Sequence, residues 1–308
     1  YPDGEYREIS SRYRGDNFFN WAYQKKSFRI KLKKKDLLNY KRVMNYSILS
    51  ERDALIRYLP YYLANLTDLP SPETRLIELR VNGVNKGVYL EYDDINEGFL
   101  RRSNFMPVNI YKGEQFHTGR DREKGVELFN NPALWSKKAI FNQREDDDYS
   151  DLKQLITLIN WSETSLQDFS KLKDLADIEV WAQFDALQTM LQSWHNDDEH
   201  NMRIISDVWR GKIFPIVYEV KVDVSPKANL IFENPQHSLF KIFTKSSEFL
   251  SIKYNYLYSY LNQGILTKAS DHVYEIKEEF KHSWSRDVHH DWNRTNTKRV
   301  ANIDIAAD

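Results

Sequence analysis

In the decapeptide KSFRIKLKKK, residues 26–35, Phe28, Ile30 and Leu32 alternate with Ser27, Arg29, Lys31 and Lys33. A period of two puts apolar side chains on one face of an extended chain and charged ones on the other, which predicts a half-buried strand. From Arg75 to Val81 the same period places Ile77, Leu79 and Val81 on one face. Asn82-Gly83 then accepts the backbone angles of a tight turn, and Gly87 to Tyr92 reads as the returning strand. Between these strands, Ser50 to Leu66 carries Leu55, Leu59, Leu63 and Leu66 at helical spacing, with Ser50 as its N-cap and Pro70 and Pro72 beyond its end.

The period changes after Tyr149. Leu152, Leu155, Ile156 and Ile159 recur at helical spacing, and Asp177 is placed to cap a helix carrying Val180, Trp181, Phe184, Leu187 and Leu191. Trp181 and Phe184 read as core. Ile213 to Val217 is a short apolar strand after the Arg210-Gly211 turn. Leu239 to Leu261, and then a charged stretch ending near Trp284, read as further helices, followed by a polar, frayed tail after Arg286. The expectation is an α+β chain of two lobes, β-rich over residues 1–125 and mainly helical over 126–308, with a cleft between them.

The chain has the material for such a core: 41% of its 308 residues are hydrophobic and 14% aromatic, so global disorder is not expected. Its 44 Lys and Arg against 45 Asp and Glu argue against a dedicated nucleic-acid partner. With no cysteine there are no disulfides, thiolate metal sites or cysteine nucleophiles. No apolar run approaches the ~20 residues that cross a bilayer. The chain opens at Tyr1 without an initiator Met or signal-like segment, as a fragment or processed chain would. Three triplets, at Asn65, Asn160 and Asn293, match glycosylation sequons, which are frequent by chance and receive no role.

Residues 194–205, WHNDDEHNMRII, concentrate ionisable groups at a junction between a helical and a strand-like stretch. Three readings are open. His195, Asp197, Asp198 and His200 are competent metal ligands, but the two histidines are five residues apart and form no helical pair, and the other dense group, His289-His290-Asp291, lies in the tail. Phosphoryl transfer needs an Asp to orient the attacking hydroxyl, a nearby Asn for the metal and a second carboxylate on a following strand. Asp197, then Asn201 four residues on, then the strand Ile213 to Val217 ending in Glu219 have that order. A solvated polar loop is the third reading.

Several stretches taken together resemble the spore-coat protein H (CotH) kinase family, atypical protein kinases related to secretory-pathway kinases. They are RYRGDNFFNWAYQKKSFRIKL (12–32), LIELRVNGVNKGVYLEYDDIN (76–96), NIYKG (109–113) and DDDYSDLKQLI (146–156), then WHNDDEHNMRII and GKIFPIVYEV (211–220). They occur in the family's order over residues 8–260, and the last two make up a catalytic segment within 194–223. The resemblance implies an ATP- and Mg²⁺- or Mn²⁺-dependent transfer to Ser or Thr of a protein partner. It implies Asp197 as the catalytic aspartate, Asn201 and Glu219 as metal ligands, and Asp93 as partner of the phosphate lysine, for which Lys26, Lys31 and Lys112 are candidates with Lys26 first. His195 and His200 would support the site from behind. Spore coat, cell surface or secretion is suggested by the resemblance alone, and the oligomeric state is not legible. Where the family commonly has Trp-Asp this chain has Tyr218-Glu219, and Lys221 stands where some members carry an acid. These departures motivate the alternative of a weak or inactive pseudokinase serving as a binding or assembly module.

Overall fold

A computed structural model of the chain describes residues 6–15, 20–21, 25–38, 41–48, 51–114, 127–139, 147–162, 165–193, 196–199, 201–222 and 238–287. Its contacts group the chain into two compact units, residues 1–62, 72–94 and 267–308 in the first, and 63–71 and 95–266 in the second. The expected boundary at 125 lies outside the described residues, as do the Ser50 cap and the tail beyond 287.

The first unit is built on an antiparallel sheet of β1 (Ile9–Tyr13), β2 (Phe28–Leu32), β3 (Val43–Ile48), β4 (Thr74–Val81) and β5 (Val84–Asp93), in the order β1-β2-β3-β5-β4. The alternation in β2 does what its period requires. Phe28, Ile30 and Leu32 join Met44, Tyr46, Ile77, Leu79 and Tyr89 in one apolar cluster, while Lys31 faces solvent. The β4–β5 hairpin closes with Val81 opposite Val84, and the two residues between, Asn82 and Gly83, have φ of 53° and 78°. Two consecutive positive φ values define the turn whose twist matches paired strands.

Two helices complete this unit. α1 (Glu51–Leu66) contributes its portion through Tyr62, and α8 (Ile265–Ser285) its portion from Thr267. The Tyr58 hydroxyl lies 2.9 Å from His272 Nε2, and the Tyr62 ring stacks on the His272 ring at 4.0 Å.

The second unit holds an antiparallel sheet in the order β7-β6-β8-β9, made of β6 (Asn109–Gly113), β7 (Trp135–Ala139), β8 (Arg203–Asp207) and β9 (Lys212–Pro215). The helices α2 (Glu97–Arg102), α3 (Ser150–Ser162), α4 (Leu166–Leu175), α5 (Ile178–Leu191), α6 (Ser238–Phe243) and α7 (Ser247–Asn262) accompany it. One sheet face buries Ile110, Ile205 and Phe214 against Phe99, Leu100 and Phe105. On the other, the Asp151 carboxylate of α3 accepts hydrogen bonds from Tyr111 Oη at 2.5 Å, Ser206 Oγ at 2.6 Å and Asn109 Nδ2 at 3.1 Å. Those three donors come from two neighbouring strands, so α3 is pinned to the sheet by polar as well as apolar contact.

NIYKG is β6, an inner strand of the sheet. Two expectations are corrected here. The stretch 239–261 is two helices, because Ser246 accepts from Phe249 N and starts α7 anew. The strand expected over 213–217 stops at Pro215. Beyond it, Ile216 N still donates to Arg203 O in the β8–β9 register, and Val217 N donates to Pro70 O on the other side. Asp177, by contrast, caps α5 as expected, its carboxylate accepting from Val180 N, and Trp181, Phe184 and Leu187 are fully buried beneath it.

Candidate active site

The acidic segment 196–201 leaves α5 through Gln192, a left-handed residue that terminates the helix, and enters β8 at Arg203. Asn196 is fully buried. Its Nδ2 donates to Asn201 O at 3.1 Å and to Tyr218 O at 3.3 Å. One side-chain amide thus holds the backbone at Asn201 against the backbone preceding Glu219. Both residues have left-handed backbones, φ of 66° at Asn201 and 52° at Glu219. Asparagine tolerates that region; glutamate does so at a cost of about 1 kcal/mol or more.

Asp197 is half-buried, and its Oδ1 accepts from Glu199 N at 2.9 Å, which shapes the turn around it. Asp198 is buried. Its main-chain O accepts from Leu128 N at 2.7 Å, its Oδ1 from Ser238 N at 2.9 Å and its Oδ2 from Ser238 Oγ at 3.0 Å. Ser238 Oγ also lies 2.5 Å from Glu127 Oε2, and Lys241 Nζ is 3.4 Å from an oxygen of each acid. A hydroxyl has one proton to give. Two carboxylates can both bond it only if one of them brings a proton of its own.

The titration shifts agree with that count. Burial, with the Glu127 charge beside it, raises the Asp198 carboxyl to about 6. Burial also works against ionisation of Glu127, but the Ser238 hydroxyl and Lys241 outweigh it and lower that group.

Lys112 and Arg203 are direct cross-strand neighbours on β6 and β8, and both reach Glu114, at 3.3 and 3.5 Å. The Arg203 guanidinium also donates to Met202 O at 2.8 Å and lies 4.5 Å from the centre of the Tyr218 ring. The Tyr218-Glu219 bend is therefore held from two sides, by Arg203 on the ring and Asn196 on the carbonyl. Lys221 N donates to Ser193 Oγ at 3.2 Å. Because residues 216–222 form no strand, Glu219 lies beyond β9 rather than at the end of its strand, and Lys221 shares no strand face with it.

Asp197, Asn201, Glu219 and Lys112 thus belong to the second unit, whereas Lys26, Lys31 and Asp93 belong to the first. Lys26 precedes β2 rather than extending its apolar face; its Nζ donates to Trp21 O at 2.5 Å and lies over the Tyr13 ring. Lys31 projects from the exposed side of β2. Asp93 is buried and sits 3.2 Å from Lys41 Nζ, a contact close enough for ion pairing but without hydrogen-bond alignment. His195 and His200 lie outside the described residues, and so do the ligands His289, His290 and Asp291 of the metallohydrolase reading.

The sequence reading missed Asn196, Arg203, Lys41 and Lys25. Lys25, immediately before Lys26, is buried with its Nζ 2.6 Å from both Asp287 Oδ2 and Val88 O. Strand parity could not identify it, since β2 begins only at Phe28. Asn196 had a signal of a kind: an amide embedded in a run of acids can donate where its neighbours only accept.

Among the described residues, no three His, Cys, Asp or Glu side chains form a metal-holding group. A divalent ion held by one carboxylate, one amide and phosphate oxygens needs no such cage. The donors Asn201 and Glu219 supply oxygen alone, the chemistry that suits Mg²⁺ and Mn²⁺. The residues fit such an ion. Compared with families of known proteins, the chain matches the model described as CotH kinase protein over residues 11–303. It matches no curated protein.

Proposed function

Because the chain belongs to the CotH kinase family, we propose that it is an ATP- and divalent-metal-dependent phosphotransferase with a kinase-like division into two lobes, acting on Ser or Thr of a protein partner. The observation that carries this reading is the pairing of Asn201 with the Tyr218-Glu219 bend through Asn196, beside Asp197. Asp197 orients the acceptor hydroxyl and takes up its proton as the hydroxyl oxygen bonds the γ-phosphorus and the bond to the ADP oxygen breaks. Asn201 and Glu219 hold Mg²⁺ or Mn²⁺. Bound there, the ion would neutralise phosphate charge. Lys112 and Arg203 add positive charge on the same sheet. Of the phosphate lysines expected in the first unit, Lys26 and Lys31 remain assigned by resemblance only, with Asp93 as partner. No described helix is long and apolar enough to cross a membrane.

The second reading, a pseudokinase that binds or assembles without transfer, is favoured by the strained Glu219 and by Lys221 two residues on. Thermal melting with ATP and each metal separates binding from none: ligand at 100 times its dissociation constant adds ~2.7 kcal/mol. Transfer of the γ-phosphoryl group to a mixture of Ser/Thr peptides separates the readings further. Asp197→Asn should reduce transfer at least 100-fold while nucleotide binding and the melting temperature stay near wild type. A mutant that loses folding and transfer together marks Asp197 as structural, and wild type that binds nucleotide without transfer is the pseudokinase.

A further inference from the structure

Asn196 contributes to the site without belonging to any motif that points to it. Its neighbours Asp197, Asp198 and Glu199 offer only acceptors when ionised, and acceptors cannot bring two carbonyls together. The Asn196 amide can, because its two N–H groups diverge, one toward Asn201 O and one toward Tyr218 O. Those carbonyls belong to, or directly precede, the two residues assigned to the metal, and each of these two sits in a left-handed backbone that needs its surroundings to hold it. Asn196 is itself immobilised, fully buried between Ser193 and Asp198, which are also buried and bonded to Lys221 N and Ser238.

We infer that Asn196 is the positioning residue that sets the gap between Asn201 and Glu219, and so decides how well this pair accepts Mg²⁺ relative to Mn²⁺. The inference rests on the assignment of those two residues as metal ligands. Mg²⁺ demands near-ideal octahedral geometry at 2.0–2.1 Å and loses most from a loosened gap. Mn²⁺ takes the same oxygen donors with more latitude.

Asn196→Ala removes both hydrogen bonds. Asn196→Asp keeps the shape and, when ionised, replaces the donors by a negative charge that cannot bond either carbonyl, so it decides the matter if the alanine variant fails to fold. Each is compared with wild type and with Ile159→Val, a core truncation in α3 of modest cost, by titrating Mg²⁺–ATP and Mn²⁺–ATP. The metal-free proteins are compared by amide hydrogen exchange. The expected result is a loss of affinity at least threefold larger for Mg²⁺–ATP than for Mn²⁺–ATP in both Asn196 variants. Amides of residues 201–203 and 216–221 should also exchange at least tenfold faster, with neither change in Ile159→Val. An unchanged ratio of the two affinities, or unchanged exchange, overturns the inference. If wild type binds neither metal–nucleotide, the kinase reading is what fails, and the exchange data on metal-free protein still decide whether Asn196 sets the gap.

Discussion

The two units each bury a carboxylate against a loop, and they treat it differently. In the first, Asp287 Oδ2 receives Lys25 Nζ at 2.6 Å and Val88 N at 2.9 Å, and Lys25 is also capped by Val88 O and the Tyr89 ring. Gly87 makes the approach possible: with φ of +90°, a Cβ there would come within 2.1 Å of the same oxygen. One acid has one cation. In the second, Asp198 shares the Ser238 hydroxyl and Lys241 with Glu127, and Lys241 stands no closer than 3.4 Å to either. Two acids share one hydroxyl proton and a distant ammonium, with the Ser238 main-chain N–H serving Asp198 alone. The difference teaches where each unit places its polar free energy. The first closes a structural lock; the second keeps an undersupplied acid immediately beside Asp197, at the segment assigned to chemistry.

Breaking the lock should have the largest effect. Burial depresses the Lys25 ammonium, with Asp287 partly restoring it, so the ammonium is held in place by that carboxylate. Lys25→Met leaves the acid buried without its cation and should cost about 3–5 kcal/mol in urea unfolding. Adding Asp287→Asn to it should recover a large part of that loss, because no lone charge remains. If the single variant costs less than about 1 kcal/mol, the pair is not a lock.

The undersupplied acid should behave in the opposite sense. The Asp198 carboxyl, at about 6 in the folded chain, lies above the usual carboxylate range, so the folded state holds its proton longer than the unfolded state does. Its contribution is fully present below about pH 4 and is lost as pH rises to about 6. Asp198→Asn supplies a permanent N–H toward Ser238 Oγ, freeing the hydroxyl proton for Glu127. The variant should match wild type near pH 4 and exceed it by roughly 1–2 kcal/mol at pH 7.5, on the order of the linkage expected. Unfolding curves at both pH values check this, and a variant weaker than wild type at pH 7.5 would show that the ionised acid is well served after all.

The smallest effect sharpens the contrast at Glu219. Asp tolerates a left-handed backbone better than Glu, so Glu219→Asp should gain a few tenths to about 1 kcal/mol of stability. Combined with Lys221→Asp it should also tighten Mg²⁺–ATP binding more than Mn²⁺–ATP binding. Titration of both metals into the double variant tests it, and no gain with either would remove residue 219 from the metal account.

Much of the fold was written in short-range patterns. Alternation placed Phe28, Ile30 and Leu32 on one face, Asn82-Gly83 marked the hairpin, and Asp177 with the apolar residues after it marked α5. Each of these depends on contacts within a few residues, or on which face is apolar, and both are visible in a linear string. The order Asp197, Asn201, Glu219 was legible in the same way. What was not legible was the pairing: Lys25 meets a partner 262 residues away, while Lys26, ranked first among the candidates, precedes β2 and donates to Trp21 O. Pro215 was read as the middle of a strand, whereas it ends β9, and the Val217 amide after it is taken up by Pro70.

By itself, then, the sequence determined the elements, the family and the set of oxygen-bearing residues at the junction after α5, since periodicity, turn chemistry and motif order are local properties of the chain. Only the tertiary structure decided which lysine is buried, that Glu219, the acid proposed to meet the metal, sits in a strained bend, and that one asparagine amide holds that bend against Asn201. A buried polar group must find a partner wherever the fold brings one within about 3 Å, and sequence distance places no limit on which residue that is.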